Sequence, residues 1–392
     1  TNTDITLAGN LTTDGGQVIA VGGGQLFVDG SADRTINTGG DNGSAATGGV
    51  VDFSALSDIA GATVARRLNI DTEGATNGGN VLLNATNGIG TAGGTGINRI
   101  DIDTSGTTAG TIRISSATLT VSGATASQFN VNDDDATPGD IIVGSTIDLS
   151  SGTDGVAGGA VDFGVSDVLP AAANSTLTID VRHTSGMAAV GNDGGTIELG
   201  QITANGGDYF DSVTLLLGTN AGGASGGTLT VNDGVIEADG VGGTSVEINA
   251  ANTATPANVG SIAVDVANGL LIDTNPADVA QVSGAIDLDS VVLNGAGAVV
   301  LTTAGNNGSA QSTTAGDVLL GDAGSTTPLA SLTVDTQASG TVGTLHLGDA
   351  NGDGTGTIHT ESATGGDVDF SDAPIVVIDA GVSVSIDTDA ND

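Results

Sequence analysis

Residues 100–114 read "IDIDTSGTTAGTIRI" and contain two short segments in which apolar and polar residues alternate. Such alternation is typical of a β-strand with one apolar face and one polar face. Ile102 and Ile112 occupy equivalent places in the two segments, ten residues apart. Thr, Ser, Gly and Ala fill the interval, a composition typical of a turn. The stretch therefore predicts two β-strands that meet at a corner.

Both halves of this stretch recur along the chain. The second half has the pattern small residue, Gly, any residue, then two apolar positions separated by one residue. Its copies return at intervals typical of a repeat protein. They include "GGVVDF" (48–53), "GGNVLL" (78–83), "PGDIIV" (138–143), "GGAVDF" (158–163), "GGTIEL" (194–199), "GGTLTV" (226–231) and "VGTLHL" (342–347). The first half returns as "LNIDT" (68–72), "FNVND" (129–133) and "LTVDT" (332–336). A third short strand fits the remaining residues of each repeat.

Three short strands in a repeat of about 30 residues describe one turn, or rung, of a solenoid. Stacked rungs place equivalent Val, Ile and Leu residues about 4.8 Å apart and give them a shared aliphatic core. We predict an all-β protein that forms a single continuous, three-sided parallel β-solenoid over residues 1–392, with about a dozen rungs. Gly precedes many strands because a corner needs either a positive φ angle or a close approach of two backbones.

Composition narrows the classes of function. The 392 residues include 66 Gly, 38% apolar residues, 2% aromatic residues and no Cys, so neither a large aromatic core nor a disulfide framework can form. The formal charge is −40, and all six basic residues are Arg. This charge argues against nucleic acid and anionic lipid as partners and favours cations, above all Ca²⁺. It would equally keep the surface hydrated in salty water. No apolar run reaches the length of a membrane span, so we expect no membrane insertion.

Two longer stretches carry a resemblance to a known family. They are "GSTTPLASLTVDTQASGTVGTLHL" (324–347) and "TGGDVDFSDAPIVVIDAGVSVSIDT" (364–388). These repeats resemble those of the right-handed parallel β-helices in large bacterial surface exoproteins of the filamentous-haemagglutinin type and related giant repetitive adhesins. The resemblance implies a right-handed coil, an extracellular or cell-surface location, and a non-catalytic role as a stalk, adhesin or filament that meets surface glycans or cells.

Two acidic stretches are candidate calcium sites. In "DANGDG" (349–354), Asp349, Asn351 and Asp353 alternate and Gly354 follows, as in the opening of a calcium-binding loop. In "NDDD" (132–135), Asp133 and Asp135 are the second set of candidate ligands. The alternative for the first stretch is an ordinary Asp/Asn/Gly turn, and for the second a solvated acidic corner.

A carbohydrate-active enzyme is the alternative function, because parallel β-helices also support polysaccharide lyases and hydrolases. Such sites usually need an aromatic-lined groove and either a cationic base or paired carboxylates. Aromatic residues make up only 2% of this chain, and Lys is absent. We therefore expect a protein that is not an enzyme.

The two ends of the chain fit together as sequence. The last strand, in "VSVSIDTDAND" (382–392), exposes Val384 and Ile386 on one face, and the first strand contains Ile5 and Leu7. If Thr1 followed Asp392, Ile386 and Ile5 would be eleven residues apart, the interval seen inside complete repeats. We predict either head-to-tail stacking of copies through these residues or a chain cut from a longer tandem array.

Overall fold

The computed structural model describes most of the residues of the chain. These are residues 4–29, 32–39, 45–61, 66–83, 97–114, 118–121, 127–131, 139–144, 146–151, 156–184, 193–219, 226–249, 260–265, 267–277, 281–304, 312–350, 353–361 and 366–388. They form strands and turns and no helix, and neighbouring strands pair in parallel. The prediction of an all-β, parallel β-solenoid is confirmed. A helix suited to crossing a membrane is likewise not found in these ranges.

The described ranges contain 34 strands, most of them three to six residues long. The first seventeen are β1 (Ile5–Leu7), β2 (Leu11–Thr12), β3 (Val18–Ile19), β4 (Gln25–Val28), β5 (Arg34–Asn37), β6 (Val51–Asp52), β7 (Asp58–Gly61), β8 (Arg66–Asp71), β9 (Val81–Leu83), β10 (Ile97–Asp103), β11 (Ile112–Ile114), β12 (Thr118–Thr120), β13 (Gln128–Val131), β14 (Ile141–Val143), β15 (Thr146–Asp148), β16 (Ala160–Asp162) and β17 (Val168–Pro170). The others are β18 (Ser175–Asp180), β19 (Thr196–Leu199), β20 (Phe210–Leu216), β21 (Thr228–Val231), β22 (Val235–Glu237), β23 (Thr244–Asn249), β24 (Gly260–Val264), β25 (Leu270–Asp273), β26 (Ala285–Gly295), β27 (Ala298–Thr302), β28 (Val318–Ala323), β29 (Ser331–Asp335), β30 (Thr344–Leu347), β31 (Thr355–His359), β32 (Asp367–Asp369), β33 (Ile375–Ile378) and β34 (Ser383–Asp387).

Hydrogen-bonded pairing sorts these strands into three ladders. The first ladder contains β2, β5, β8, β10, β13, β16, β19, β21, β24, the second halves of β26 and β28, β31 and β34. The second contains β12, β15, β18, β20, β23, the first halves of β26 and β28, β30 and β33. Strands β1, β4 and β7 hold the same place in the order of strands and pair with one another, and no described pairing joins them to β12. The third contains β3, β6, β9, β11, β14 and β17, continues through Ile202, and ends with β22, β25, β27, β29 and β32.

The core is a set of aliphatic columns that run along the ladders. Ile70 pairs with Ile102 and Ile102 with Val131, and none of the three is more than 2% exposed. Phe129 and Phe163 contribute an edge-to-face aromatic contact with ring centres 5.2 Å apart. Because every strand is only a few residues long, each buried residue depends on the strands before and after it in its ladder.

The glycines before the strands serve close backbone approach. A Cβ atom on Gly79 would lie well under 3.0 Å from the carbonyl oxygen of Gly49, and one on Gly110 equally close to that of Gly79. Neither Gly79 nor Gly110 has a positive φ angle. Gly79 and Gly110 are therefore needed for the close approach of two backbones and not for a positive φ angle.

Motif glycines of successive rungs lie above one another in three stacks, and these stacks explain why the six-residue motif returns at irregular intervals. The glycines of one stack each precede a strand of the third ladder. Those of the next stack precede strands of the first ladder, and those of the last stack precede strands of the second ladder. Their members are Gly16, Gly49, Gly79, Gly110 and Gly139; Gly159, Gly195 and Gly227; and Gly284, Gly316 and Gly343. The six-residue motif therefore marks a corner, and it moves from one corner to another along the rod. Similarly, "LTVDT" lies in the third ladder, whereas "LNIDT" lies in the first.

Candidate functional site

Most corner aspartates have a structural role in the turn that follows a strand. The Oδ1 atom of Asp103 accepts a hydrogen bond from the Ser105 N–H at 2.9 Å, two residues further on. The same contact joins Asp335 to the Gln337 N–H at 2.9 Å. A short acidic side chain thus replaces a backbone acceptor at the corner. Acidity at a corner is therefore not by itself a sign of a metal site.

The predicted calcium loop lies between β30 and β31. Asp353 Oδ1 accepts the Thr355 N–H at 2.8 Å, and Asp349 Oδ2 accepts the N–H of Gly354. Gly354 has a φ angle of +89°, which glycine adopts without strain. The third candidate ligand, Asn351, lies outside the described residues. Asp133 and Asp135, the ligands expected in the other stretch, also lie outside them.

Asp322 belongs to the same corner, one rung earlier. It is 1% exposed, and its Oδ1 atom accepts the Thr357 N–H at 2.7 Å. Its Oδ2 atom has no hydrogen-bond partner among the described residues. Burial raises the pKa of Asp322, the backbone N–H of Thr357 lowers it, the carboxylates of Asp349 and Asp353 raise it further, and the backbone of Ala350 lowers it.

Sequence reasoning missed Asp322 because it lies on the preceding rung, far outside the stretch that contains Asp349. The signal that would have found it is the repeated "GDA" at 321–323 and 348–350. The pairing of Leu320 with Leu347 puts these two tripeptides in register on neighbouring rungs.

A second acidic cluster joins two rungs near the other end of the described chain. Carboxylate oxygens of Asp71, Glu73 and Asp103 lie within 4.8 Å of one another, and all three residues are half-buried. Asn37 Nδ2 donates to Asp71 Oδ2 at 2.6 Å. Burial raises the pKa of Asp71, the Glu73 N–H lowers it, and the negative charge of Asp103 raises it. The "DT" repeated at 71–72 and 103–104 was the sequence signal for this pairing.

The rungs at the two ends of the described chain carry exposed apolar side chains. Ile5 is 41% exposed and Ile386 is 50% exposed, whereas Leu7 and Val384 are partly buried against the core. Strand β33 pairs with β30 and strand β34 with β31, and no described strand covers their outer edges. The four residues predicted for end-to-end contact therefore all lie on terminal rungs.

No protein-family model, curated protein or solved structure matches this chain.

An open groove of about 420 Å³ lies beside the single tyrosine of the chain. It is lined by Tyr209, Asp211, Asp239 and Gln281, among others. Gln281 Nε2 donates a hydrogen bond to Asp239 Oδ1. Burial raises the pKa of Asp239, the bond from Gln281 lowers it, and Asp211 raises it. One aromatic ring and two carboxylates therefore line the same groove.

Proposed function

We propose that this protein is an extracellular or cell-surface structural rod, a stalk of an adhesin or a protomer of a head-to-tail filament. In this proposal the chain is a single, continuous, right-handed and three-sided parallel β-helix of about a dozen rungs, like the filamentous-haemagglutinin-type repeats that it resembles. The observation that carries the proposal is the unbroken first ladder, in which each strand from β2 to β34 bonds to the next member.

The ladders suit a mechanical role. Hydrogen bonds between stacked strands lie along the stacking direction, at about 4.8 Å per rung. Pulling along the rod loads many of these bonds, and the buried aliphatic columns hold successive rungs in register. The acidic surface hydrates the rod and gives it affinity for cations. A rod of this kind would contact surface glycans or cells without catalysing a reaction.

The order of the strands supports a coil that is three-sided and right-handed. The chain visits the second, first and third ladders in turn, for example through β12, β13 and β14. Three ladders visited cyclically support a three-sided cross-section. Right-handed crossover connections are the strong preference for parallel strands, which supports the proposed handedness.

The partner that we propose is a second copy of this chain, which stacks on an exposed end rung. Ile386 and Val384 at one end and Ile5 and Leu7 at the other provide apolar surface and open strand edges. Removing these residues from water favours contact, and parallel pairing would continue the ladders.

The test is association of the full chain, followed by sedimentation velocity and electron microscopy as concentration rises. The wild-type protein should form rods in multiples of one length, and Ile386→Asp should shift the population to single rods. Ser385→Asp is the matched control, since it adds the same charge to a neighbouring, polar position of β34. Wild-type protein that stays monomeric at all concentrations tested would disprove head-to-tail assembly.

The groove beside Tyr209 supports one alternative, a carbohydrate-active β-helix enzyme. Asp211 and Asp239 would be its paired carboxylates. The assay is release of reducing or unsaturated sugars from a panel of acidic and neutral polysaccharides. Release that is abolished by Asp239→Asn would establish the enzyme and overturn the proposal of a purely structural protein.

A further inference from the structure

The only tyrosine of the chain lies on the wall of the 420 Å³ groove. Tyr209 is half-buried and directly precedes Phe210, the fully buried first residue of β20. Phe210 pairs with Ser175 of the preceding rung, which puts the exposed residue Asn174 next to Tyr209. An aromatic ring and an amide from two successive rungs therefore line the groove together.

Two carboxylates line the same groove from neighbouring rungs. Phe210 bridges to Ala238 of the following rung, which puts Asp211 next to Asp239. Strand β20 has one residue more than β18 at Asp211, and such a β-bulge redirects the side chain of the extra residue. Gln281 Nε2 donates a hydrogen bond to Asp239 Oδ1 and so holds this carboxylate in place. The backbone register thus keeps the two acids side by side in the groove wall.

The two acids have no basic side chain beside them in the groove. Neither Arg nor His occurs among the described residues that line it, and the chain contains no Lys. Like charges at adjacent positions of neighbouring strands repel each other, and the exposed Asp208 adds a third negative charge to the groove. A ligand with a positive charge relieves this repulsion, whereas an anionic ligand increases it.

The other lining residues favour an organic cation over a metal ion. The side chain of Val241, which is 73% exposed, and the ring of Tyr209 offer apolar surface that a hydrated metal ion does not use. An organic ammonium group binds favourably over an aromatic face. The amides of Asn174 and Gln281 can donate to and accept from hydroxyl groups. A groove of about 420 Å³ is within the usual size of a small-molecule site.

We infer that this groove binds an amino sugar whose free amine is protonated. The ammonium group lies at Asp211 and Asp239, the sugar ring lies against Tyr209, and hydroxyl groups meet the amides of Asn174 and Gln281. A lysine side chain has the same charge but no hydroxyl groups, so it uses fewer of these partners. The inference rests on the proposed contact of the rod with surface glycans and deepens it by naming the chemical class of the glycan.

Calorimetric titration of the full chain with glucosamine tests the inference, at a mildly acidic pH that keeps the amine protonated. One site per chain is expected, and glucose and N-acetylglucosamine, which lack the charge, should bind at least about tenfold more weakly. Tyr209→Leu should weaken glucosamine binding about two- to fivefold, and Tyr209→Phe, which keeps the ring, should not. Asp211→Asn should weaken it about tenfold. Its melting temperature without ligand should equal or exceed that of wild type, because one of the repelling charges is gone.

A control separates the groove from the general effect of the −40 charge. Glu361→Gln removes the same charge from an exposed position outside the groove and should leave glucosamine binding unchanged. Three results would each overturn the inference: no saturable binding of glucosamine, an equal loss in Glu361→Gln and Asp211→Asn, or equally tight binding of lysine. Rods without glucosamine binding would refute the amino-sugar site alone. Glucosamine binding by a protein that stays monomeric would refute head-to-tail assembly alone.

Discussion

The hydroxyl of Thr72 donates a hydrogen bond of 2.6 Å to the carbonyl oxygen of Gly79, and Thr72 is fully buried. The same bond joins threonine to a motif glycine at five other corners. The pairs are Thr38 with Gly49, Thr104 with Gly110, Thr274 with Gly284, Thr303 with Gly316, and Thr336 with Gly343. The glycine lets two backbones approach, and the threonine satisfies a carbonyl that the approach hides from water.

Replacing Thr72 by Val should therefore destabilise the protein without changing the shape of the corner. Val keeps the volume of Thr but leaves the Gly79 carbonyl without its hydroxyl donor, a loss of about 1–3 kcal/mol. Thr107→Val is the matched control, since Thr107 is exposed, and it should change stability by less than about 0.5 kcal/mol. Denaturant unfolding of both variants measures the difference. An equal effect of the two substitutions would contradict a special role for the buried hydroxyl.

Gly110→Ala should be more damaging than any single loss of a hydrogen bond. The added Cβ atom would meet the carbonyl group of Gly79 on the preceding rung, and backbone atoms cannot rotate away. We expect a destabilisation of more than about 3 kcal/mol. Gly9→Ala is the control, because a Cβ atom there meets nothing within 4 Å. Thermal unfolding and resistance to proteolysis should separate the two variants clearly.

Stability should rise as pH falls from neutral toward the pKa values of the buried acids. Burial raises the pKa of Asp167, so the folded chain binds that proton more tightly than the unfolded chain. The stabilisation of the folded state by protonated Asp167 is fully present below the ordinary pKa of 3.8. It is lost as the pH rises through the raised pKa of the folded state. Asp167→Asn should flatten the pH dependence of the melting temperature.

Asp369 provides a control with the opposite sign. Hydrogen bonds from Ser371 lower the pKa of Asp369, so its contribution is present above 3.8 and is lost as pH falls through the lowered value. The melting temperature of the Asp369→Asn variant should therefore rise toward acidic pH as steeply as that of the wild type, or more steeply. A melting temperature that falls steadily between about pH 7 and pH 5 in wild type would contradict the expectation.

A small ionic network on the first ladder offers a further prediction. Asp101 accepts from Arg67 Nε at 2.5 Å, from Arg99 at 2.8 Å and from Asn130 Nδ2 at 2.9 Å. Asp101→Asn would leave two arginines on neighbouring rungs without their shared anion. Because the arginines are partly exposed, we expect a loss of about 1 kcal/mol or less that shrinks at high salt. An effect independent of salt would show that packing dominates.

The strands were largely predictable because their period of two is a local property of the sequence. The segments around Ile70, Ile102 and Val131 each alternate, and their regular recurrence already implies stacking of equivalent positions. Asp349 and Asp353 were predicted as calcium ligands in the same way, from local spacing, and this stays a prediction. What could not be predicted is the corner at which a motif lies, since every corner uses the same glycine chemistry and the loops between corners vary in length.

By itself, the sequence determined an all-β chain, parallel stacking, an aliphatic core and a highly acidic surface, because alternation, repeat length and composition are properties of neighbouring residues. Only the tertiary structure decided which acids meet. Asp322 and Asp349 are distant in the chain, as are Asp71 and Asp103, yet each pair occupies one corner. Strand register brings them together, and register depends on the length of every intervening loop. Burial of Asp322 arises the same way, since the following rung, and not its own sequence, removes it from water.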